Sequence, residues 1–177
     1  MVTLLKTQRC RHMLRSPDLL RMTVFTAFLL LPVAALAQTP LGCFARTYDA
    51  PHVAAHPGQT VSAVKVKLKP RSMDDGYNFS VELRFGFRED KRNFYAVGIC
   101  KDMGGSLTCS LDQDAGQLTV KPADGGVQVS PLQDVRADAE SGDEAEYKTL
   151  KTSNPEDRVF MLRAVEASDC KEFDTED

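Results

Sequence analysis

Residues 77–120 read YNFSVELRFGFREDKRNFYAVGICKDMGGSLTCSLDQDAGQLTV, and this stretch decides the fold class. Runs in which apolar and polar residues alternate are separated by short segments rich in Gly, Asp and Asn. Such alternation is typical of β-strands with one buried face, and the segments between them are typical of turns. The longest run carries apolar side chains at every second position: Phe79, Val81, Leu83, Phe85 and Phe87.

The sequence on either side of this stretch continues the pattern. Residues 61–69 alternate valine or leucine with lysine, and shorter strand-like runs lie at 117–121, 127–130 and 159–165. Strands that follow one another closely, with no long helical pattern between them, favour an antiparallel sheet over a parallel α/β sheet. The sequence therefore predicts one all-β domain of about seven or eight strands, a single antiparallel meander that forms a small barrel or a sandwich.

The first 37 residues differ from the rest of the chain. Residues 1–21 carry five basic residues and one acid, and the uncharged run 22–37 ends in Ala35-Leu36-Ala37. A basic segment, a short apolar core and an A-x-A site are typical of a secretory signal peptide. We expect residues 1–37 to be cleaved, with a retained membrane anchor as the alternative, and residues 38–170 to form the β domain. This predicts a periplasmic or secreted protein without stable membrane insertion.

Four cysteines follow residue 37: Cys43, Cys100, Cys109 and Cys170. An even number of cysteines in an exported chain implies disulfides, with three possible connectivities. We favour Cys100–Cys109, which would close a hairpin, and Cys43–Cys170, which would join the two ends of the domain. Two alternatives are weaker. A four-cysteine zinc site lacks the usual C-x-x-C pair, and lipidation of Cys43 would leave an odd number of thiols.

Charge is divided unevenly along the chain. Residues 61–92 are net basic and residues 133–177 are net acidic, within a full chain of formal net charge −3. Loss of the basic leader would make the exported part more acidic still, which argues against nucleic acid as a partner. We expect residues 133–157 to form a solvated acidic loop, with Tyr147 to Lys151 as a candidate strand within it, and residues 171–177 to form an acidic tail.

Pairing of the first two strands of the sheet would collect basic side chains on one outer face. The residues concerned are Lys65, Lys67, Lys69, Arg84 and Arg88. Such a face could hold an anionic ligand or an acidic protein partner. It could equally be held against the acidic segment of the same chain, or protect an exposed strand from aggregation.

His52 and His56 are the histidines of residues 38–177. Asp49 can cap a short helical turn, Pro51 fits its first turn, and Pro57-Gly58 would end it, so both imidazoles would share one face. The functional interpretation is a metal-binding protein or a metal-assisted enzyme; the structural one is a polar turn at one end of the domain. The zinc peptidase motif requires a Glu between its two histidines, and none is present here. No motif indicates another cofactor.

The segment Gly42-Cys43-Phe44-Ala45-Arg46-Thr47-Tyr48, followed by His52, His56-Pro57 and Gln59-Thr60-Val61, resembles the opening of small exported uncharacterised proteins of alphaproteobacteria. The resemblance covers this short segment and implies a periplasmic setting but no activity. The expected architecture is also similar to that of periplasmic lysozyme inhibitors, which are small exported β-barrels with disulfides. We therefore expect an exported binding or inhibitory module without a catalytic motif, whose partner is another periplasmic or extracellular protein or an anionic ligand.

Overall fold

A computed structural model describes residues 39–140 and 146–173. The strands are β1 Gly42–Thr47, β2 Val61–Pro70, β3 Phe79–Phe87, β4 Asn93–Asp102, β5 Leu107–Leu111, β6 Gln117–Ala123, β7 Gly126–Pro131, β8 Val135–Ala139, β9 Tyr147–Leu150 and β10 Phe160–Ala164. One short helix, α1, spans Ala50–Ala55, and 3₁₀ turns lie at Asp112–Asp114, Pro155–Asp157 and Ala167–Phe173. The predicted signal peptide at 1–37 lies outside the described residues.

Eight of the strands close into one antiparallel barrel. β1 to β7 are neighbours in chain order, β10 fits between β7 and β1, and pairing of β3 with β4 completes the cylinder. β8 pairs with the first residues of β4 and β9 pairs with β8, so these two strands form a hairpin beside the barrel. The all-β antiparallel prediction is confirmed, and of its two forms the barrel is the one observed.

The inward side chains of β2 and β3 are buried, as the period-two pattern predicts: Val64, Val66, Leu68, Val81, Leu83 and Phe85. They belong to one hydrophobic cluster with Phe94, Leu118 and Phe160 from other strands of the barrel. Each side chain of this size contributes roughly 1.5–3 kcal/mol when it is fully buried. The alternation in the sequence therefore accounts for the apolar face that these strands bury inside the barrel.

Both predicted disulfides are present. Cys43 of β1 is bonded to Cys170 in the last 3₁₀ turn, with 6.1 Å between their Cα atoms. Cys100 and Cys109 are direct cross-strand partners in β4 and β5, with a Cα–Cα distance of 4.0 Å. All four cysteines are buried. The Cys43 sulfur is therefore engaged in a disulfide in this structure.

Within residues 133–157, the candidate strand around Tyr147 to Lys151 is present as β9, and a second strand, β8, lies where the sequence indicates only a loop. β8 and β9 lie within this segment, and their inward residues Val135, Ala137 and Leu150 join the barrel's hydrophobic cluster. The pattern of β8 is hard to see in the sequence because charged residues separate its small apolar ones and the strand is short. Residues 141–145 of the segment and 174–177 of the predicted acidic tail lie outside the described residues.

Candidate functional site

The structure divides the predicted binding residues into two groups. Lys65, Lys67, Lys69 and Arg84 lie on β2 and β3, where Lys65 is the cross-strand partner of Arg84. Arg88 follows the last residue of β3 and lies at the end of the barrel. It is close to the segment that carries the two histidines.

The basic face on β2 and β3 is largely engaged with groups of the same chain. Lys69 Nζ lies 2.8 Å from Glu82 Oε1, and Arg84 Nε lies 2.7 Å from Glu140 Oε1. Lys65 Nζ donates to the backbone carbonyl of Asp169 at 3.0 Å. Glu140 belongs to the acidic segment, so for Arg84 the structure shows the alternative in which the basic face is held against that segment.

More ion pairs fasten the β8–β9 hairpin to the loop between β3 and β4. Arg92 contacts Glu146 just before β9, and it also lies 2.8 Å from Asp90. Lys148 Nζ of β9 lies 3.9 Å from the same Asp90 carboxylate. Hydrogen bonds from the Arg92 guanidinium are the main reason that the pKa of Asp90 lies far below its ordinary value.

A second carboxylate ties the two ends of this hairpin together. Asp134 Oδ1, just before β8, accepts hydrogen bonds from the backbone N–H and the hydroxyl of Thr152, just after β9, at 2.7 and 2.8 Å. These bonds lower the pKa of Asp134. The hairpin therefore depends on ionised aspartates at both its open end and its contact with the barrel.

Acid is expected to loosen the β8–β9 hairpin before the barrel. A carboxyl group whose pKa is lowered by folding stabilises the folded state above its unfolded pKa, and this contribution is lost as the pH falls through the folded value. Amide exchange measured by NMR and corrected for the intrinsic pH effect should show β9 losing protection below about pH 4, ahead of β2 and β3. The variant Asp90→Asn should show weaker β9 protection already at pH 7. Uniform loss over the whole barrel would contradict this expectation.

Helix α1 forms as its sequence predicts. The Asp49 carboxylate accepts a hydrogen bond from the His52 backbone N–H at 2.9 Å, and a proline occupies the first turn. The rings of Tyr48, His52 and His56 then form a stack, with centroid distances of 4.7 and 4.4 Å. The Arg46 guanidinium lies 5.0 Å from the Tyr48 ring centroid and extends this Tyr48–His52–His56 stack.

Gln59 fixes the inner histidine of the stack. It is 4% exposed, and its amide nitrogen donates to the backbone carbonyl of Val61 at 2.6 Å. Its oxygen therefore faces His52 Nε2, at 3.1 Å, and that nitrogen carries the proton as donor. Burial raises the pKa of the Tyr48 phenol; the charge of Arg46 opposes this rise and that of Asp157 adds to it.

The stacked geometry does not prepare His52 and His56 for a metal ion. The lone pairs of an imidazole lie in its ring plane, and the two ring planes are inclined by 27° to each other at a 4.4 Å separation, so the lone pairs do not converge. Within residues 39–140 and 146–173, no group of three His, Cys, Asp or Glu side chains is arranged to hold a metal. The metal-binding interpretation stays a prediction, and the observed contacts of the pair are those of a packed turn.

Asp157 joins the segment after α1 to the segment after β9. Its carboxylate is 1% exposed and accepts hydrogen bonds from the backbone N–H and hydroxyl of Thr60 and from the Asn154 amide, the last two at 2.6 and 2.7 Å. Asn154 also donates to the carbonyl of Gly58 at 2.8 Å. Residues 57–60 are thereby held in one conformation.

A cleft of about 400 Å³ opens beside this fixed segment. It is lined by Pro57, Gly58, Gln59, Thr60, Phe87, Arg88, Glu89, Lys148 and Thr149. Two cations and one carboxylate are among these residues. The sequence pattern indicates Arg88 but not Lys148, because nothing in it shows that β9 lies next to the end of β3.

Arg88 is positioned by the backbone on the opposite wall of the cleft. Its Nη1 donates to the carbonyls of Pro57 and Gln59, both at 3.1 Å. In the described part of the chain, Nε and Nη2 of Arg88 make no hydrogen bond to protein. Since these two nitrogens lie side by side on the guanidinium plane, they can bind the two oxygens of a carboxylate or phosphate.

Comparisons with protein-family models, with curated proteins and with solved structures find no match. The resemblance of the segment around Cys43 to small exported proteins stays a prediction. Among the residues that the structure describes, no helix has the length and apolar character needed to span a membrane. We therefore infer a function from the geometry of the cleft.

Proposed function

We propose that this protein is an exported binding module of the bacterial periplasm or extracellular space, and that it binds the carboxylate or other anionic group of a ligand or partner protein in the cleft beside Arg88. The observation that carries this proposal is the Arg88 guanidinium, which two backbone carbonyls hold in place while its Nε and Nη2 make no protein hydrogen bond among the described residues.

Such an arrangement lowers the cost of binding. An arginine side chain normally loses rotamer freedom when it binds a ligand. Here the carbonyls of Pro57 and Gln59 have already restricted Arg88, and the Asp157 hydrogen bonds in turn restrict residues 57–60. Lys148 supplies a second positive charge at the cleft, and its contact with Asp90 at 3.9 Å offsets part of this charge.

Two buried disulfides support the proposed export, because disulfides persist in oxidising compartments such as the periplasm. The metal-binding alternative is ranked second, since His52 Nε2 is already used by Gln59 and no third ligand joins the pair in the described residues. Binding rather than catalysis is proposed because the charged groups of the cleft suit recognition of an anion. The Thr60 hydroxyl in its lining donates to Asp157, and that carboxylate is also held by the Thr60 backbone N–H and the Asn154 amide.

The proposal is tested by NMR titration of the purified protein with glutarate, a simple dicarboxylate. We expect the resonances of residues that line the cleft to shift. Arg88→Met should weaken binding by about tenfold or more, because a hydrogen bond to a charged group contributes about 1.5–3 kcal/mol. Arg88→Lys should restore part of the affinity, since it keeps the charge but not the paired N–H groups.

Two further variants provide matched controls. Glu89→Gln should tighten glutarate binding by a few-fold, because it removes the carboxylate from the lining of the cleft. Arg84→Met, on the outer face of β3, should leave binding unchanged, because Arg84 pairs with Glu140 away from the cleft. Unchanged affinity in Arg88→Met, or weaker binding in Glu89→Gln, would contradict the proposal.

A further inference from the structure

β9 has one edge that no strand covers in the described part of the chain. It is the last strand in the order of the sheet, with β8 on its other side. The Ala139 N–H donates to the Glu146 carbonyl at 2.9 Å, and in this register Lys148 and Leu150 also direct their backbone groups toward β8. Because the direction alternates along a strand, the N–H and C=O groups of Tyr147 and Thr149 point away from β8.

This uncovered edge and the anion site border the same cleft. Thr149 and Lys148 of β9 line it on one side, and Arg88 and residues 57–60 line it on the other. A ligand in the cleft therefore meets a backbone donor and acceptor next to a guanidinium. A small anion uses only the guanidinium, whereas a peptide chain with an acidic side chain uses both.

The edge is also held firmly in place. Proteins often protect an edge strand with a lysine that obstructs pairing, but Lys148 Nζ lies 3.9 Å from Asp90 on the β3–β4 loop. Arg92 binds both Asp90 and Glu146, which fixes the start of β9 to the same loop. The backbone of β9 is therefore ordered before any ligand arrives, as strand addition to a sheet requires.

We infer that the ligand of the cleft is an extended polypeptide segment that adds to β9 as a further strand and places an Asp or Glu side chain against Arg88. This inference rests on the proposed anion site and specifies its ligand class. Main-chain hydrogen bonds to Thr149 supply affinity that does not depend on sequence, and the acidic residue supplies selectivity. The two positive charges that line the cleft, against one carboxylate, match an acidic segment.

The experiment selects binders from a library of random dodecapeptides displayed against the purified protein. We expect enriched peptides to carry an acidic residue within an alternating run of β-formers. Their affinity should fall at least tenfold in Thr149→Pro, which removes the outward N–H and leaves the hydrogen bonds to β8 in place. Thr149→Val keeps that N–H and should lose much less affinity than Thr149→Pro. Amide exchange of the complex should show new protection at Thr149.

A second measurement covers the case in which Thr149→Pro does not fold. The best peptide is synthesised in two forms, one with N-methyl groups on its odd-numbered backbone nitrogens and one with them on its even-numbered nitrogens. One form should lose binding to the wild-type protein, because its methyl groups face β9, and the other form should keep it. Equal binding of both forms, or no enrichment of any peptide, would overturn the inference. If glutarate still binds through Arg88 in that case, the proposed function stands and only the peptide ligand is wrong. If glutarate also fails to bind, the proposed function itself is wrong.

Discussion

Replacing Cys43 and Cys170 together by serine is expected to lower the free energy of unfolding by about 5 kcal/mol, the larger of the two disulfide effects. The two residues are 127 positions apart in sequence, so the bond removes much of the chain entropy of the unfolded state. Replacing Cys100 and Cys109, which are 9 positions apart, should lower it by about 2.5 kcal/mol. Equilibrium denaturation in guanidinium chloride under oxidising conditions measures both.

The position of the long-range disulfide strengthens this expectation. Pairing of β1 with β10 closes the barrel and joins the two ends of the domain. This pairing has two residue pairs in register, Phe44↔Ala164 and Ala45↔Arg163. Cys43 lies in β1 beside this seam, and its carbonyl accepts a hydrogen bond from Val165 at 3.0 Å. The β4–β5 pairing that contains the second disulfide has five registered pairs and needs less support.

The reversed order of effects would contradict the expectation. If the Cys100/Cys109 double variant lost more stability than the Cys43/Cys170 variant, packing at the buried hairpin would outweigh chain entropy. Serine replaces a buried cysteine at all four positions, so the cost of the polar substitution is similar in the two variants. The difference between them therefore reports mainly on loop length.

Local sequence patterns predict the strands, hairpins and turns whose residues lie close together in the chain. The alternating runs of β2 and β3, the hairpin around Cys100 and Cys109, and the Asp49-capped turn are all present as expected. β1 and β8 were not predicted. β8 carries Val135 and Ala137 as its inward residues, and such a short apolar signal among charged neighbours does not stand out.

The candidate site was predictable only in part, because it is assembled from distant segments. The sequence places Arg88 on the outer face of the sheet, since it continues the alternation of β3. The strand ends at Phe87, and the Arg88 side chain instead reaches the carbonyls of Pro57 and Gln59. The contact between Thr60 and Asp157 spans 97 positions, and no local pattern indicates it.

Asp157→Ala is expected to lower the free energy of unfolding by about 2–3 kcal/mol, because it leaves hydrogen-bond donors of Thr60 and Asn154 without their charged acceptor. It should also weaken glutarate binding, since residues 57–60 would no longer be fixed and their carbonyls position Arg88. Thermal denaturation and the NMR titration measure these effects separately. Asp157→Asn keeps one acceptor oxygen and should lose less of both.

Asp124→Ala is the matched control for this prediction, because Asp124 is an exposed aspartate in the turn between β6 and β7. A loss of stability no larger than that of Asp124→Ala would mean that water replaces the Asp157 carboxylate at no cost. A loss of stability with unchanged glutarate affinity would separate the two roles: Asp157 would then hold the β9–β10 segment on the barrel, and the carbonyls of Pro57 and Gln59 would position Arg88 without its help.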